Sequence, residues 1–272
     1  MRAAEWINLV FFSFFVIVSW LRPLTSQRRI AIAAIGATGI GLIVAAQLAH
    51  WLLPLFGGSV TRDWLPAALM PMLYWQAGRF SSRVNERFQT RLQRLDDKLV
   101  GSWMPSLAAK PSYQWIAVSL EVAYLSCYPL VPMGLGVLYL AHMRRHATEY
   151  WSVVLLATYP CYAFTAFVQT LPPRLLKTDS VRPLAGNIRA FNLWIVRRVS
   201  IQLNTFPSAH VTATLGGSLV LLRFVPSVGW AFLLVSIGIA LGAVLGRYHY
   251  AADVLLGAAL AVAVYMLEVF FT

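Results

Sequence analysis

Eight apolar stretches, at roughly 6–21, 31–56, 62–78, 113–141, 149–171, 209–225, 228–246 and 250–270, divide the chain. Most approach the roughly 17–25 residues that a helix needs to cross a bilayer. A backbone that enters hydrocarbon must satisfy its own hydrogen bonds, which leaves helices as the solution for runs of this length. The stretch 62–78 is short and carries Pro66 and Pro71, so it is expected either to cross or to re-enter. The expected fold class is all-α: a polytopic membrane helical bundle of about eight spans. No repeat and no low-complexity linker interrupts it, so one membrane domain is expected. Its three parts are N-terminal spans at 1–78, an amphipathic segment at 79–112 and a core at 113–272. No small-residue cleavage site follows the first apolar run, which therefore reads as a retained span rather than a signal peptide.

Composition agrees with a membrane and narrows the partners. Hydrophobic residues make up 59% of the chain and charged residues 12%, about half the charged share of soluble domains. A formal charge of +12 would point to nucleic acid in a soluble protein. Here the cations lie between apolar runs, so the expected partners are the bilayer and lipid phosphate, with no nucleic acid. Cys127 and Cys161 both fall inside apolar runs and do not form a disulfide framework.

Residues 80–100 break the pattern. Val84, Phe88, Leu92, Leu95 and Leu99 recur at helical spacing beside a basic stripe of Arg83, Arg87, Arg91, Arg94 and Lys98. That arrangement predicts either a helix in the interface plane with arginines among phosphates, or one packed on the membrane domain. Glu121 is an ionisable group inside a span, with Tyr124 and Tyr128 on its face. It is expected to orient an active-site arginine or to pair with another helix. Ala209, Ala213 and Gly217, and likewise Gly238, Gly242 and Gly246, are small residues four apart, as close helix packing requires.

The chemistry concentrates at three span ends. Arg174 follows the run 149–171, Ser208 and His210 open the run at 209–225, and Arg247, His249 and Asp253 precede or open the last. An alternating path through the bilayer brings all three ends to one face. Ser208 is placed to cap a helix whose free N–H groups attract an anion. His249 and Asp253 are one turn apart, so the carboxylate can hold the ring and leave its other nitrogen as a nucleophile. His210 is suited to protonate a leaving oxygen. Arg174, Lys177, Arg182 and Arg247 offer positive charge to phosphate oxygens. His249, Asp253 and His210 are also three possible metal ligands, but the surrounding cations oppose a metal, and no cofactor is expected. His50, His142 and His146 sit at span ends without partners and read as interface residues.

These residues resemble the type 2 phosphatidic acid phosphatase superfamily. Its Pro-Ser-Gly-His motif is similar to Pro207-Ser208-Ala209-His210, and its His-x3-Asp half-motif to His249 through Asp253. The Ser-Arg that precedes the latter in the family is Gly242-Ala243 here. The Lys-x6-Arg-Pro motif is matched only approximately: Lys177 lies five residues before Arg182, and Arg174 eight before. With Pro172-Pro173-Arg174, these departures look more like the inositolphosphotransferase branch, which includes inositol phosphorylceramide synthases. The resemblance covers roughly 113–270. It implies a six-helix core, a phosphohistidine on His249, acid–base work by His210 and no metal. It also implies a metal-independent lipid phosphatase, or else a phosphotransferase passing a headgroup such as phosphoinositol to a lipid alcohol. A non-enzymatic transporter or scaffold is disfavoured, because a transport path would place polar residues through the spans. The phosphatase is the preferred reading, acting on a lipid phosphomonoester or diphosphate in the cell's inner (plasma) membrane.

Seventeen cations fall on the expected site face and five on the other. The positive-inside rule then puts the site in the cytoplasm, whereas the resemblance implies the periplasmic or luminal face, which is the expectation adopted.

Overall fold

The computed structural model describes residues 1–52, 58–81, 83–101, 103, 104, 107, 110, 113–176 and 186–271. Among these the chain is helical, with one isolated bridge between Thr170 and Asn204. Helices α1 (Ala3–Leu21), α2 (Ser26–Leu52) and α3 (Gly58–Gly78) pack on one another. A shorter helix, α4 (Glu86–Asp96), runs into a π-turn at Asp97–Gly101. Then follow α5 (Tyr113–Leu125), α6 (Cys127–Leu140), α7 (Ala147–Thr165), α8 (Asn187–Val199), α9 (Ala209–Phe224), α10 (Pro226–Leu245) and α11 (Ala251–Phe271).

Helix α9 is the axis of the site, with α6, α7, α10 and α11 around it. Helix α7 is buried on nearly all sides and joins this group to α1 and α3. That position explains its composition: a helix surrounded by protein can carry Tyr150, Ser152, Thr158 and Tyr162 without exposing them to lipid. Small residues permit the closest contacts. A Cβ at Gly242 would stand 2.6 Å from the Leu120 carbonyl oxygen, so only glycine lets α10 meet α5 there.

Each predicted apolar run contains a helix among the described residues, and two features bear on the expected count of about eight spans. The run 113–141 is broken at Ser126 into α5 and α6, which meet at a 58° bend. Pro129 has no N–H for the Leu125 carbonyl, so a helix running on through Ser126 loses that bond, and Pro129 and Pro132 fall in the first turns of α6 instead. Secondly, among the described residues four helices (α1, α2, α10 and α11) are long and apolar enough to cross a membrane, and α5 with α6 counts as a fifth if the bent pair is one span. Helix α3 carries Arg62 and Asp63 as well as its prolines, α7 is rich in tyrosine and threonine, and α9 has 16 residues.

The expected division of α4 into an apolar and a basic face is also revised. Arg87, Arg91 and Arg94 on it, Arg83 before it and Lys98 after it are exposed. Its buried face, however, is Gln89, Leu92, Asp96 and then Val100, while Leu95 and Leu99 point outward at 46% and 43% exposure. Two polar groups are turned inward because they hold the loops of the site.

Candidate functional site

The end of α10 determines where His249 lies. Its last turn closes with the Tyr248 N–H on the Ala243 carbonyl (2.9 Å) and the Arg247 N–H on that of Val244 (3.0 Å). Arg247 takes the left-handed conformation between them, at φ 60°. This is the Schellman arrangement with arginine where glycine is usual. It reverses the chain, so that His249 falls beside the first turn of α11 and Asp253 lies within that turn.

Asp253 is buried behind His249. Its Oδ2 lies 3.4 Å from His249 Nδ1 and accepts from Asn204 Nδ2 (2.7 Å) and the Tyr250 N–H (3.1 Å). Its backbone carbonyl accepts from the Ser208 N–H at 3.0 Å, which ties the start of α9 to the start of α11. A Cβ at Gly257 would stand 2.9 Å from the Ser208 carbonyl oxygen, so glycine is what allows this approach. The imidazoles of His210 and His249 are 5.7 Å apart between centroids, at 62°. His249 is 4% exposed, and burial, reinforced by the Arg174 charge, pushes its pKa down to about 3. It is therefore neutral over the physiological range.

A small cavity of about 20 Å³ opens beside these rings, and its walls include Arg174, Tyr124, Tyr128, Tyr248, His210 and His249. Arg174 reaches it from the loop after α7. Its N–H donates to the Arg247 carbonyl (2.9 Å), and its Nη1 to that of Tyr248 (3.4 Å). Burial lowers the Arg174 pKa from the ordinary arginine value, which still leaves a cation at neutral pH. Tyr124 stacks on Tyr248 at 3.9 Å, and Tyr124 and Tyr128 each lie 5.8 Å from the His210 ring.

Thus the structure brings His210, His249, Asp253 and Arg174 together, as the sequence predicts. Ser208 lies at the predicted helix start, but its hydroxyl makes no capping bond; the Ala209 N–H instead donates to Thr205 Oγ1 at 3.4 Å. Arg247 is not on the cavity wall. Its Nη1 donates to Asp96 Oδ2 at 2.5 Å, and Asp96 Oδ1 accepts from the Ala251 N–H at 2.8 Å. The left-handed turn aims this side chain at α4, so its expected place as a phosphate clamp is replaced by an anchoring one. Lys177 and Arg182 lie outside the described residues.

Glu121 takes the second of its two expected roles and holds the site indirectly. It accepts from Asn192 Nδ2 (2.6 Å), Arg189 and the Tyr248 hydroxyl (2.7 Å), and so pairs with α8 while fixing the residue before His249. Asp96, Asn204, Arg189 and Gln89 were not legible as site residues. Gln89 accepts from the Leu171 N–H (2.8 Å) and donates to the Tyr250 hydroxyl (2.5 Å). Among the described residues, no group of three or more His, Cys, Asp or Glu side chains converges as metal ligands would.

Several buried polar atoms near the site have no hydrogen-bond partner among the described residues: Asn204 Oδ1, Ser208 Oγ, His210 Nδ1 and Asp253 Oδ1. Buried polar groups are rarely left so; of these four residues His210 lines the cavity, with His249 and Arg174 on the same wall. The arrangement can offer an imidazole nitrogen to phosphorus, a second imidazole to the leaving atom and a cation to the anionic oxygens.

No curated protein and no solved structure matches the chain. The sequence model of the PAP2 superfamily, whose members are generally phosphatases or phosphotransferases, matches residues 90–267, from α4 into α11. This match covers more than half of the chain and contains both histidines, Asp253 and Arg174, so the protein belongs to the PAP2 superfamily.

Proposed function

We propose that the protein is an integral membrane lipid phosphatase that hydrolyses a lipid phosphomonoester or diphosphate through a phosphohistidine on His249. The observation that carries this reading is the pair of imidazoles 5.7 Å apart, with Arg174 on the wall of the same cavity. Asp253 engages His249 Nδ1 and leaves Nε2 as the attacking atom. Its lone pair forms the N–P bond as the P–O ester bond breaks, while Arg174 balances charge on the equatorial oxygens. The substrate's negative charge favours an imidazolium at His210, which passes its proton to the leaving oxygen. His210 then takes a proton from water as that water attacks phosphorus, which releases phosphate and restores neutral His249.

A second reading, transfer to a lipid alcohol, shares the first half-reaction. The 4% exposure of His249 and the tyrosines around the cavity favour it, since both shield a phosphorylated ring from bulk water. The branch resemblance to inositolphosphotransferases belongs to this alternative, and the headgroup moved would then be a phospho-alcohol such as phosphoinositol.

The test is phosphate release from a panel of lipid phosphates by protein in detergent with EDTA present, beside His249→Ala. Release that vanishes in the variant, with an acid-labile phosphoenzyme trapped on His249, is expected. Release that survives in His249→Ala would overturn the mechanism. Transfer to an added lipid alcohol at the expense of free phosphate would select the second reading.

A further inference from the structure

The cavity beside His249 is too small for more than a headgroup. A second cavity, of about 250 Å³, adjoins it and shares Tyr74, Tyr128, Ser200 and His210 with it. One wall of this larger space is a single face of α3: Ala67, Met70, Pro71, Tyr74 and Trp75, at helical spacing over two turns. The facing wall is α6, with Cys127, Val131 and Pro132, just past the bend at Ser126 that tilts α6 away from the line of α5. Apart from the shared end, these linings are almost wholly apolar.

We propose that α3 forms one side of a slot for the hydrocarbon chain of the phosphate ester, and so selects the substrate by its chain. The proposal rests on the phosphate-ester reading and deepens it. Three features carry it. The polar and apolar cavities share His210, Tyr74, Tyr128 and Ser200 in their walls, so an amphiphile with its phosphate beside Arg174 has apolar lining next to it for the rest of the molecule. The junction itself is amphipathic: the Tyr74 hydroxyl bonds to Ser200 Oγ (3.0 Å) and accepts from the Ile201 N–H (3.1 Å), while its ring faces the apolar side. The outer wall is both anchored and open. Trp75 donates from Nε1 to the Val199 carbonyl at 2.9 Å, yet it and Pro71 are exposed on the helix surface where bilayer lipid would lie.

Helix α3 lies outside the residues that the PAP2 superfamily matches. Its apolar face is therefore a property of this chain's own N-terminal helices, whose place in the function the family match leaves unassigned. A chain lying between α3 and α6 is in contact with α9 through Ala209 and Ala213, whose small side chains keep the slot open beside the histidine.

Two measurements test the slot. The first compares hexadecyl phosphate with butyl phosphate in the full-length protein and in Ala67→Phe and Met70→Trp. Filling the slot is expected to lower the ratio of kcat/KM for the long over the short ester by roughly tenfold or more. Equal losses on both esters, or no change in the ratio, would overturn the proposal. The second uses a long-chain alkyl phosphate with a diazirine at the chain end, photolysed in the protein without turnover. Labelling of the α3 or α6 segments that contain Met70 or Val131 is expected, and labelling confined to other segments would overturn it. This second reading is independent of catalysis. If no phosphate ester is hydrolysed but α3 or α6 is labelled, the function proposed above fails and the slot stands; if esters are hydrolysed and neither α3 nor α6 is labelled, the reverse holds.

Discussion

At opposite ends of α7 the protein buries charge in two different ways. Near its start, Glu5 accepts from Arg62 through Nε (2.6 Å) and Nη2 (2.9 Å), from Gln47 (2.6 Å) and from the Arg2 N–H (2.8 Å). Asp63 beside it engages Arg2, Arg144 (2.7 Å) and the Tyr139 hydroxyl, while its backbone carbonyl takes the Trp151 indole N–H (2.7 Å). Each of the four carboxylate oxygens there is occupied. Beyond the other end of α7, Asp253 keeps one oxygen without a protein partner, and so do the Ser208 hydroxyl and His210 Nδ1. A network in which every carboxylate oxygen is paired joins α1, α2, α3, α6 and α7. The other end leaves polar atoms unpaired among the described residues, close to a neutral imidazole.

The sharpest way to break this contrast is to remove one group from each end. His249→Ala should lower phosphoryl turnover by about a thousandfold or more while leaving thermal unfolding in detergent nearly unchanged, because it deletes a nucleophile and not a brace. Arg62→Ala should do the opposite. It strands a buried carboxylate at Glu5, which costs about 3–5 kcal/mol, and its melting temperature should drop while the folded fraction retains its turnover. Loss of turnover in the folded fraction would show that the two ends are coupled.

A smaller effect is expected where the site end is itself braced. Asp96→Asn weakens the contact to Arg247 and to the first turn of α11, at about 2 kcal/mol for charge-assisted bonds. Helix α4 should then become a substrate for trypsin at its exposed arginines, with turnover lowered several-fold. Unchanged proteolysis would remove α4 from the account of the site.

The finest probe is pH. The folded pKa of His249, about 3, lies below its ordinary value of 6.5. Above pH 6.5 neither folded nor unfolded chain holds the proton. Between about 6.5 and 3 the unfolded chain binds it and the folded chain does not, so acid favours unfolding by about 1.4 kcal/mol per pH unit. A pH series of unfolding in detergent should show a shallower acid slope in His249→Gln. Phosphorylation of the enzyme by substrate should also lack a limb near pH 6.5 from His249, since its ring is already neutral there. A His249-dependent limb at that pH would show a ring far better solvated than the geometry gives.

The sequence by itself determined the helices and the candidate chemistry. Apolar runs bounded by cations have no alternative to helix in a bilayer, which is why the starts of α9, α10 and α11 fall close to where periodicity puts them. His249 and Asp253 meet because four residues make one turn, and Arg174 joins them where the loop after α7 bonds to the end of α10. Even the break at Ser126 has a counterpart in Pro129, which cannot bond to the Leu125 carbonyl, although hydropathy alone hid it.

Only the tertiary structure decided which polar residues point inward and what they hold. Asp96 meets Arg247 across 151 positions, Gln89 meets Tyr250 across 161 and Asn204 meets Asp253 across 49. Such contacts leave no period in the chain, because each depends on how two helices are rotated about their axes. The same rotation took Arg247 away from the cavity and set one face of α3 beside it. A hydrophobic run specifies a helix; its packing against neighbours specifies which stripe of that helix becomes a wall of the site.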